Sequence, residues 1–294
     1  MKTIAVLTDF SKRSEHAAMY ALQLAKKIKA DILLFNAFMV PAEKSNGKQS
    51  AWPPEDYDEV QKSTKKRLIA LRGKLEGELE EKSLPGAYLP AISYQCEEGA
   101  VANNIAGLEE NRDIVLMILA THGADDMSVF LMGNNCSQVI DAASTPLLII
   151  PEGCGIKNIE KFAFAIDIVH NDIEYIRSMA SLAKHFSAEI LVANVNHHAP
   201  LTKEHENAIN AFKKEIMQKI NYSKVYYRNI PNESVQNGLD WMMENIKFDI
   251  LVLVHRKGDL SDFFFKSSIT KKIADHTYLP LLVYPYPVTS VPGF

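Results

Sequence analysis

Short apolar runs alternate with longer stretches in which apolar residues recur every three or four positions, and this holds along the whole 294-residue chain. A run such as Val115-Leu116-Met117-Ile118-Leu119-Ala120 has the composition of a strand buried on both faces. Ala17, Tyr20, Ala21, Leu24 and Ala25 fall on one stripe of a helix. In the first half, the pattern predicts strands near 2–8, 31–38, 91–96, 113–120 and 146–150, with helices near 13–29, 58–82, 99–110 and 134–143. Lys26, Lys27 and Lys29 load the carboxyl end of the first helix, where cations complement its dipole. Strands separated by helices are the pattern of βαβ units and a parallel sheet.

The pattern is stated twice. The opening Thr3-Ile4-Ala5-Val6-Leu7-Thr8-Asp9 returns as Phe162-Ala163-Phe164-Ala165-Ile166-Asp167. Ile114 to His122 returns as Ile250-Leu251-Val252-Leu253-Val254-His255, and Pro146-Leu147-Leu148-Ile149-Ile150-Pro151 as Pro280-Leu281-Leu282-Val283-Tyr284-Pro285. Matches in one order are the mark of a tandem duplication. The expected fold is therefore α/β, with two tandem doubly wound parallel-sheet domains of about five strands each, at 1–152 and 158–294. Pro151 to Lys157, short and glycine-containing, reads as the linker. Pairing His122 with His255 places Arg256 opposite Gly123, and requires a one-residue insertion before Ser267-Ser268 can stand opposite Gly133-Asn134.

Composition changes this picture little. Hydrophobic residues make up 47% and charged residues 23%, with a formal net charge of −4, ordinary for a globular protein. Interleaved charges of both signs argue against a nucleic-acid partner. No apolar run approaches the ~20 residues of a membrane-spanning helix, and the chain begins on a strand rather than on a leader, so the expected location is cytoplasmic. Cys96, Cys136 and Cys154 form no disulfide pattern.

The candidate chemistry lies where strands end. After Ala120-Thr121-His122-Gly123 come nine residues and then Gly133-Asn134-Asn135-Cys136, at the start of a helix. Glycines at such a turn let the main chain approach a phosphate closely. The free NH groups and the dipole of the helix favour an anion there. Ala120 stands where a further glycine would complete the loop; if the position requires positive φ, alanine is strained. Asp125 and Asp126 would repel a triphosphate unless they hold a divalent cation or, as a solvated loop tip favours, point to solvent. Cys136, near a helix amino end, would have a lowered thiol pKa if exposed, a redox-sensor chemistry; the commoner role of such a cysteine is a small buried helix residue. His197-His198 and His205 lack metal-ligand spacing. Neither a P-loop nor a Gly-x-Ser-x-Gly elbow occurs. Phe263-Phe264-Phe265 is an apolar cluster on an expected loop.

With Asp9 ending the first strand and the spaced loop before the fourth helix, the chain resembles a tandem universal stress protein. The resemblance implies an adenine nucleotide, ATP or a relative with or without magnesium, in the first half. It places the ligand among Thr8, Asp9 (ribose), Asn36 (adenine), Ala120, His122, Gly123, Gly133, Asn134, Asn135 and Cys136. It implies a degenerate second site, an internal pseudo-dimer of the two halves with a homodimer as a further assembly, and a sensor or interaction role rather than catalysis beyond slow hydrolysis. A scaffold that binds no nucleotide is the competing expectation.

Overall fold

The computed structural model describes residues 1–40, 57–82, 85–110, 113–121, 133–156, 158–166, 168, 172–196, 203–256, 279–286 and 293–294. These fall into two compact units, Met1–Ala120 with Ser128–Ala143, and Thr121–Met127 with Ser144–Phe294.

The first unit runs β1 (Thr3–Leu7), α1 (Lys12–Ile28), β2 (Asp31–Phe38), α2 (Tyr57–Lys82), β3 (Ile92–Glu98), α3 (Val101–Glu110), β4 (Ile114–Thr121, its last residue counted with the other unit) and α4 (Gly133–Ala142). Its strands lie in the order β3-β2-β1-β4, all parallel. Parallel pairing obliges each connection to cross over the sheet as a helix. Residues of β1 and β2 are consequently buried on both faces, with Ile4, Ala5, Val6, Ile32, Leu33 and Leu34 inaccessible to solvent.

The second unit contains β5 (Leu147–Pro151), β6 (Lys161–Ile166), α5 (Ile173–Phe186), β7 (Glu189–Asn196), α6 (Lys203–Lys219), β8 (Val225–Pro231), α7 (Val235–Asn245), β9 (Ile250–Arg256) and β10 (Leu281–Tyr286). The strand order is β5-β10-β9-β6-β7-β8. β5, which the sequence pattern gives to the first repeat, lies in this unit and pairs antiparallel with β10, Leu281 opposite Ile149 and Val283 opposite Leu147. The other pairings of the unit are parallel.

The duplication extends to hydrogen-bond register. β1 pairs with β2 from Thr3↔Asp31 to Leu7↔Phe35, and β6 with β7 from Lys161↔Glu189 through Ala165↔Ala193, a constant shift of 158 (Lys161 minus Thr3). The helix ends repeat as well. Lys29 and Ser187, at the same place in each copy, both take left-handed backbone with φ 55° and 54°. The following amides reach back to the same carbonyl, Ala30 to Ala25 and Ala188 to Ala183, each at 3.1 Å. That closure satisfies a terminal carbonyl without glycine.

The segment expected to be a linker is a packed turn. Pro151 ends β5, Gly153 takes φ 79°, the Cys154 amide donates to the Pro151 carbonyl at 3.3 Å, and Cys154 and Ile159 are buried. Close packing also explains one glycine inside a helix. A Cβ at Gly238 of α7 would lie 2.3 Å from Cγ1 of Val195 on β7, and a β-branched side chain yields little. Gly107 of α3, by contrast, is exposed with nothing within 4 Å of that position. Gly238→Ala is expected to lower the unfolding free energy by about 1–3 kcal/mol, and Gly107→Ala to raise it by up to about 1 kcal/mol. Urea denaturation of the full chain measures both, and equal effects would contradict the packing described.

Candidate functional site

In the first unit β1 is flanked by β2 and β4, so strand order reverses beside it, the place where open parallel sheets leave a crevice outside their carboxyl ends. The residues leaving β1 form a tightly bonded turn. The Thr8 amide donates to the Phe35 carbonyl at 2.9 Å, and its hydroxyl donates to Ser14 Oγ at 2.9 Å while accepting from the Phe10 amide at 3.0 Å. Nδ2 of buried Asn36 donates to the Thr8 carbonyl at 2.7 Å. Asn36 thus lies within β2, as a cross-strand tie to the rim of β1.

Phe10 takes φ 63°, a left-handed conformation that costs a residue with a Cβ roughly 1–2 kcal/mol. The hydroxyl bond from Thr8 holds it, and the guanidinium of Arg67 on α2 lies 4.1 Å from its ring centroid. Ser11 caps α1 by accepting from the Ser14 amide at 3.2 Å. Asp9 Oδ1 accepts from the Ser11 amide at 2.9 Å and its hydroxyl at 2.5 Å. Partial burial pushes the Asp9 carboxyl up, but the Ser11 side-chain and backbone bonds, the Ser14 hydroxyl and the Arg13 charge together outweigh it and hold the pKa below the ordinary value. Asp9 therefore presents an exposed, ionised carboxylate, and also shapes its own turn.

On β4, Ala120 sits in regular strand and is not among the positive-φ residues. Alanine meets no conformational penalty there, so the missing glycine does not break this end of the loop. His122, Gly123, Asp125 and Asp126 lie outside the described residues. α4 begins at Gly133, which sets Gly133, Asn134 and Asn135 in its first turn; the side chains of the two asparagines are not described. Cys136 is half-buried and burial raises its thiol pKa to about 12, against the redox reading and in keeping with a packed helix residue. Burial likewise raises Cys154 to about 11 and pushes Cys96 up.

The second unit treats the same rim differently. Asn194 occupies the place of Asn36 by the constant register shift, yet its Nδ2 donates to Asn229 Oδ1 on β8 at 2.9 Å. Relative to β1, Leu116 pairs with Ile4, and relative to β6, Ile250 pairs with Phe162, a shift of 134 (Ile250 minus Leu116). Pro146 and Pro280 share that shift. The expected pairing of His122 with His255 is therefore displaced by one residue: His255 stands at Thr121, Arg256 at His122, and no insertion is needed to bring Ser267 to Gly133.

At that position Arg256 points into the protein and pairs with Asp172. Asp172, only 1% exposed, directly precedes α5. The guanidinium also lies 5.1 Å from the Tyr286 ring centroid, and Tyr175 donates to the Pro285 carbonyl at 3.2 Å. Nothing in the sequence signals this cluster, because its members are far apart and Arg256 reads as an ordinary strand-end cation. Asp167, His197-His198, Phe263-Phe264-Phe265 and Ser267-Ser268 fall outside the described residues, while His205 lies in the first turn of α6. Among the described residues no group of three metal-ligating side chains is found, and no helix is long and apolar enough to cross a membrane.

Removing one member of a buried ion pair strands the other, so Asp172→Ala is expected to cost about 3–5 kcal/mol, and Asp172→Ala combined with Arg256→Leu clearly less. Chemical denaturation of the full chain distinguishes them. Asp9 has the opposite exposure and a pH signature. Its lowered folded pKa contributes stability that is fully present above its ordinary value of 3.8 and is lost as the pH falls through the lower folded value. Asp9→Asn should therefore cost stability at neutral pH, with wild type and variant converging in strong acid.

The model of the universal stress protein family matches residues 1–151, just over half of the chain. No curated protein matches the sequence. A universal stress protein from Archaeoglobus fulgidus is similar at TM-score 0.70 and 13% identity, over 96% of this chain and 98% of that one. A putative universal stress protein from Pseudomonas aeruginosa follows at 0.57 and 14%, over 96% and 92%. The cytoplasmic domain of a prokaryotic cation chloride cotransporter shares the fold at 0.53 and 10%, over 96% and 93%. The folded α/β repeat, its parallel register and the match across the first half together place this chain in the universal stress protein family.

Proposed function

We propose that the chain is a tandem universal stress protein whose first repeat binds an adenine nucleotide and whose second repeat does not, and that it acts as a stress-response sensor or interaction module. The observation that carries this reading is the contrast between the two rims. In the first, Asn36 and Ser14 fix the Thr8 turn, and the carboxylate of Asp9 stays exposed and ionised. In the second, Arg256, Asp172 and Tyr286 occupy one another.

The residues present fit such a ligand. Asp9 would accept from ribose hydroxyls. The amino end of α4 at Gly133 would supply NH groups and a positive dipole end to the phosphates. Asn36, committed to the Thr8 carbonyl, would act by holding the backbone rim against which adenine lies. Gly123 and Gly133 would allow close main-chain approach, and His122, Asn134, Asn135 and Cys136 would complete the loop. The nucleotide supplies the charged group that such a loop reads, and the protein supplies position. The reading is of a binding module.

Calorimetric titration of nucleotide-stripped protein with ATP, with and without magnesium, tests this. One site per chain is expected, lost in Gly133→Lys and weakened about tenfold or more in Asp9→Ala, the worth of one charge-assisted hydrogen bond. Absence of both heat and a thermal shift at millimolar ATP would leave the paired-domain scaffold as the account.

A further inference from the structure

Between Asp9 and Ser11, the residue that caps α1, the chain passes through Phe10 alone, with φ 63°. Asp9 Oδ1 accepts from the amide two positions on, that of Ser11, which closes a side-chain turn of the Asx kind. In such a turn Phe10 stands where a type II backbone turn takes positive φ. Relaxing Phe10 to an ordinary conformation would swing the Ser11 amide and hydroxyl away from Oδ1. The setting of the Asp9 carboxylate and the left-handed state of Phe10 are thus one constraint.

Glycine takes positive φ without cost, and a bulky side chain does not. What phenylalanine supplies in exchange is a ring. The guanidinium of Arg67, on α2, lies 4.1 Å from the centroid of that ring, a cation–π contact. Phe10 is half-buried and Arg67 exposed. About two turns farther along α2, Lys74 pairs with Glu15 in the first turn of α1. One side of α2 therefore meets both the Asp9 turn and the helix that follows it.

We propose that Arg67 is a positioning residue of the candidate site: stacked on Phe10, it holds the left-handed turn that sets the Asp9 carboxylate. It acts through Phe10 and touches no ligand atom. This role rests on the nucleotide reading for its ligand, while the turn itself can be observed without one.

Two measurements on the full chain test it. Without nucleotide, hydrogen exchange followed by NMR should show the Ser11 amide exchanging about two- to fivefold faster in Arg67→Ala than in wild type, the worth of one exposed cation–π contact. With ATP, calorimetry should show affinity lower by a similar factor in Arg67→Ala and partly restored in Arg67→Lys, which keeps a cation without the flat guanidinium. Phe10→Gly permits the same backbone but removes the ring, so adding Arg67→Ala to it should cost no further affinity. A full second loss in that background would mean that Arg67 meets the ligand directly, and would overturn the positioning role. Wild type that binds ATP while Arg67→Ala leaves either readout unchanged overturns this proposal alone. Wild type that binds no ATP overturns the nucleotide reading and this role together, whatever the Ser11 amide does.

Discussion

The structure rests on the requirement that a parallel sheet be covered on both faces. Each crossover returns the chain to the amino edge, so within each unit the parallel strands point their carboxyl ends to one rim, β5 being the antiparallel exception. The middle of β1 and β6 is then wholly apolar, with Ile4, Ala5 and Val6 in one and Phe162, Ala163 and Phe164 in the other. Polar residues are displaced to the strand ends, where Thr3, Thr8 and Asn36 are among those buried in the first unit, and Asn194 and His255 in the second. A buried polar group must find a partner. How each rim satisfies that demand is what separates the two copies.

In the first copy the demand is met locally. Asn36 donates to Thr8, the Thr8 hydroxyl serves Ser14 and Phe10, and Asp9 holds Ser11. These bonds close within one turn and leave the carboxylate at the surface. In the second, Asn194 turns to the neighbouring strand and Arg256 reaches back to Asp172. An ion pair taken out of water stabilises a fold only when its remaining polar atoms are satisfied too, and beside this one the Tyr286 ring lies 5.1 Å from the guanidinium. The same backbone frame thus supports an open rim and a filled one, through the identity of a few side chains.

Most of the frame was legible in the sequence because apolar periodicity is dictated by burial. The strand expected at 31–38 is β2, and the helix expected near 58–82 is α2. What was not legible depends on tertiary partners. The antiparallel placement of β5 leaves no trace in Leu147-Leu148-Ile149-Ile150, since a strand buried on both faces reads alike in either direction. The one-residue displacement at Arg256 is hidden because each run ends near a histidine, and pairing His122 with His255 by residue type sets Arg256 one place too far along. The left-handed Phe10 has no compositional sign, as neither glycine nor asparagine stands there. For the candidate site, Asp9 and Gly133 were readable from strand-end and helix-start chemistry, whereas the role of Asn36 as a tie required its hydrogen bond.

The boundary between the repeats and the boundary between compact units do not coincide, and this limits how the halves can be separated. β5 belongs to the first repeat by sequence and to the second unit by packing. It supplies the antiparallel neighbour of Leu281 to Val283. A chain begun after Pro151 would leave that side of β10 with unpaired amides and carbonyls in an apolar strand, a liability for aggregation. The short turn at Gly153 therefore joins two strands of one packed body, and duplication of the sequence has produced a unit of stability that begins one strand earlier than the second repeat itself.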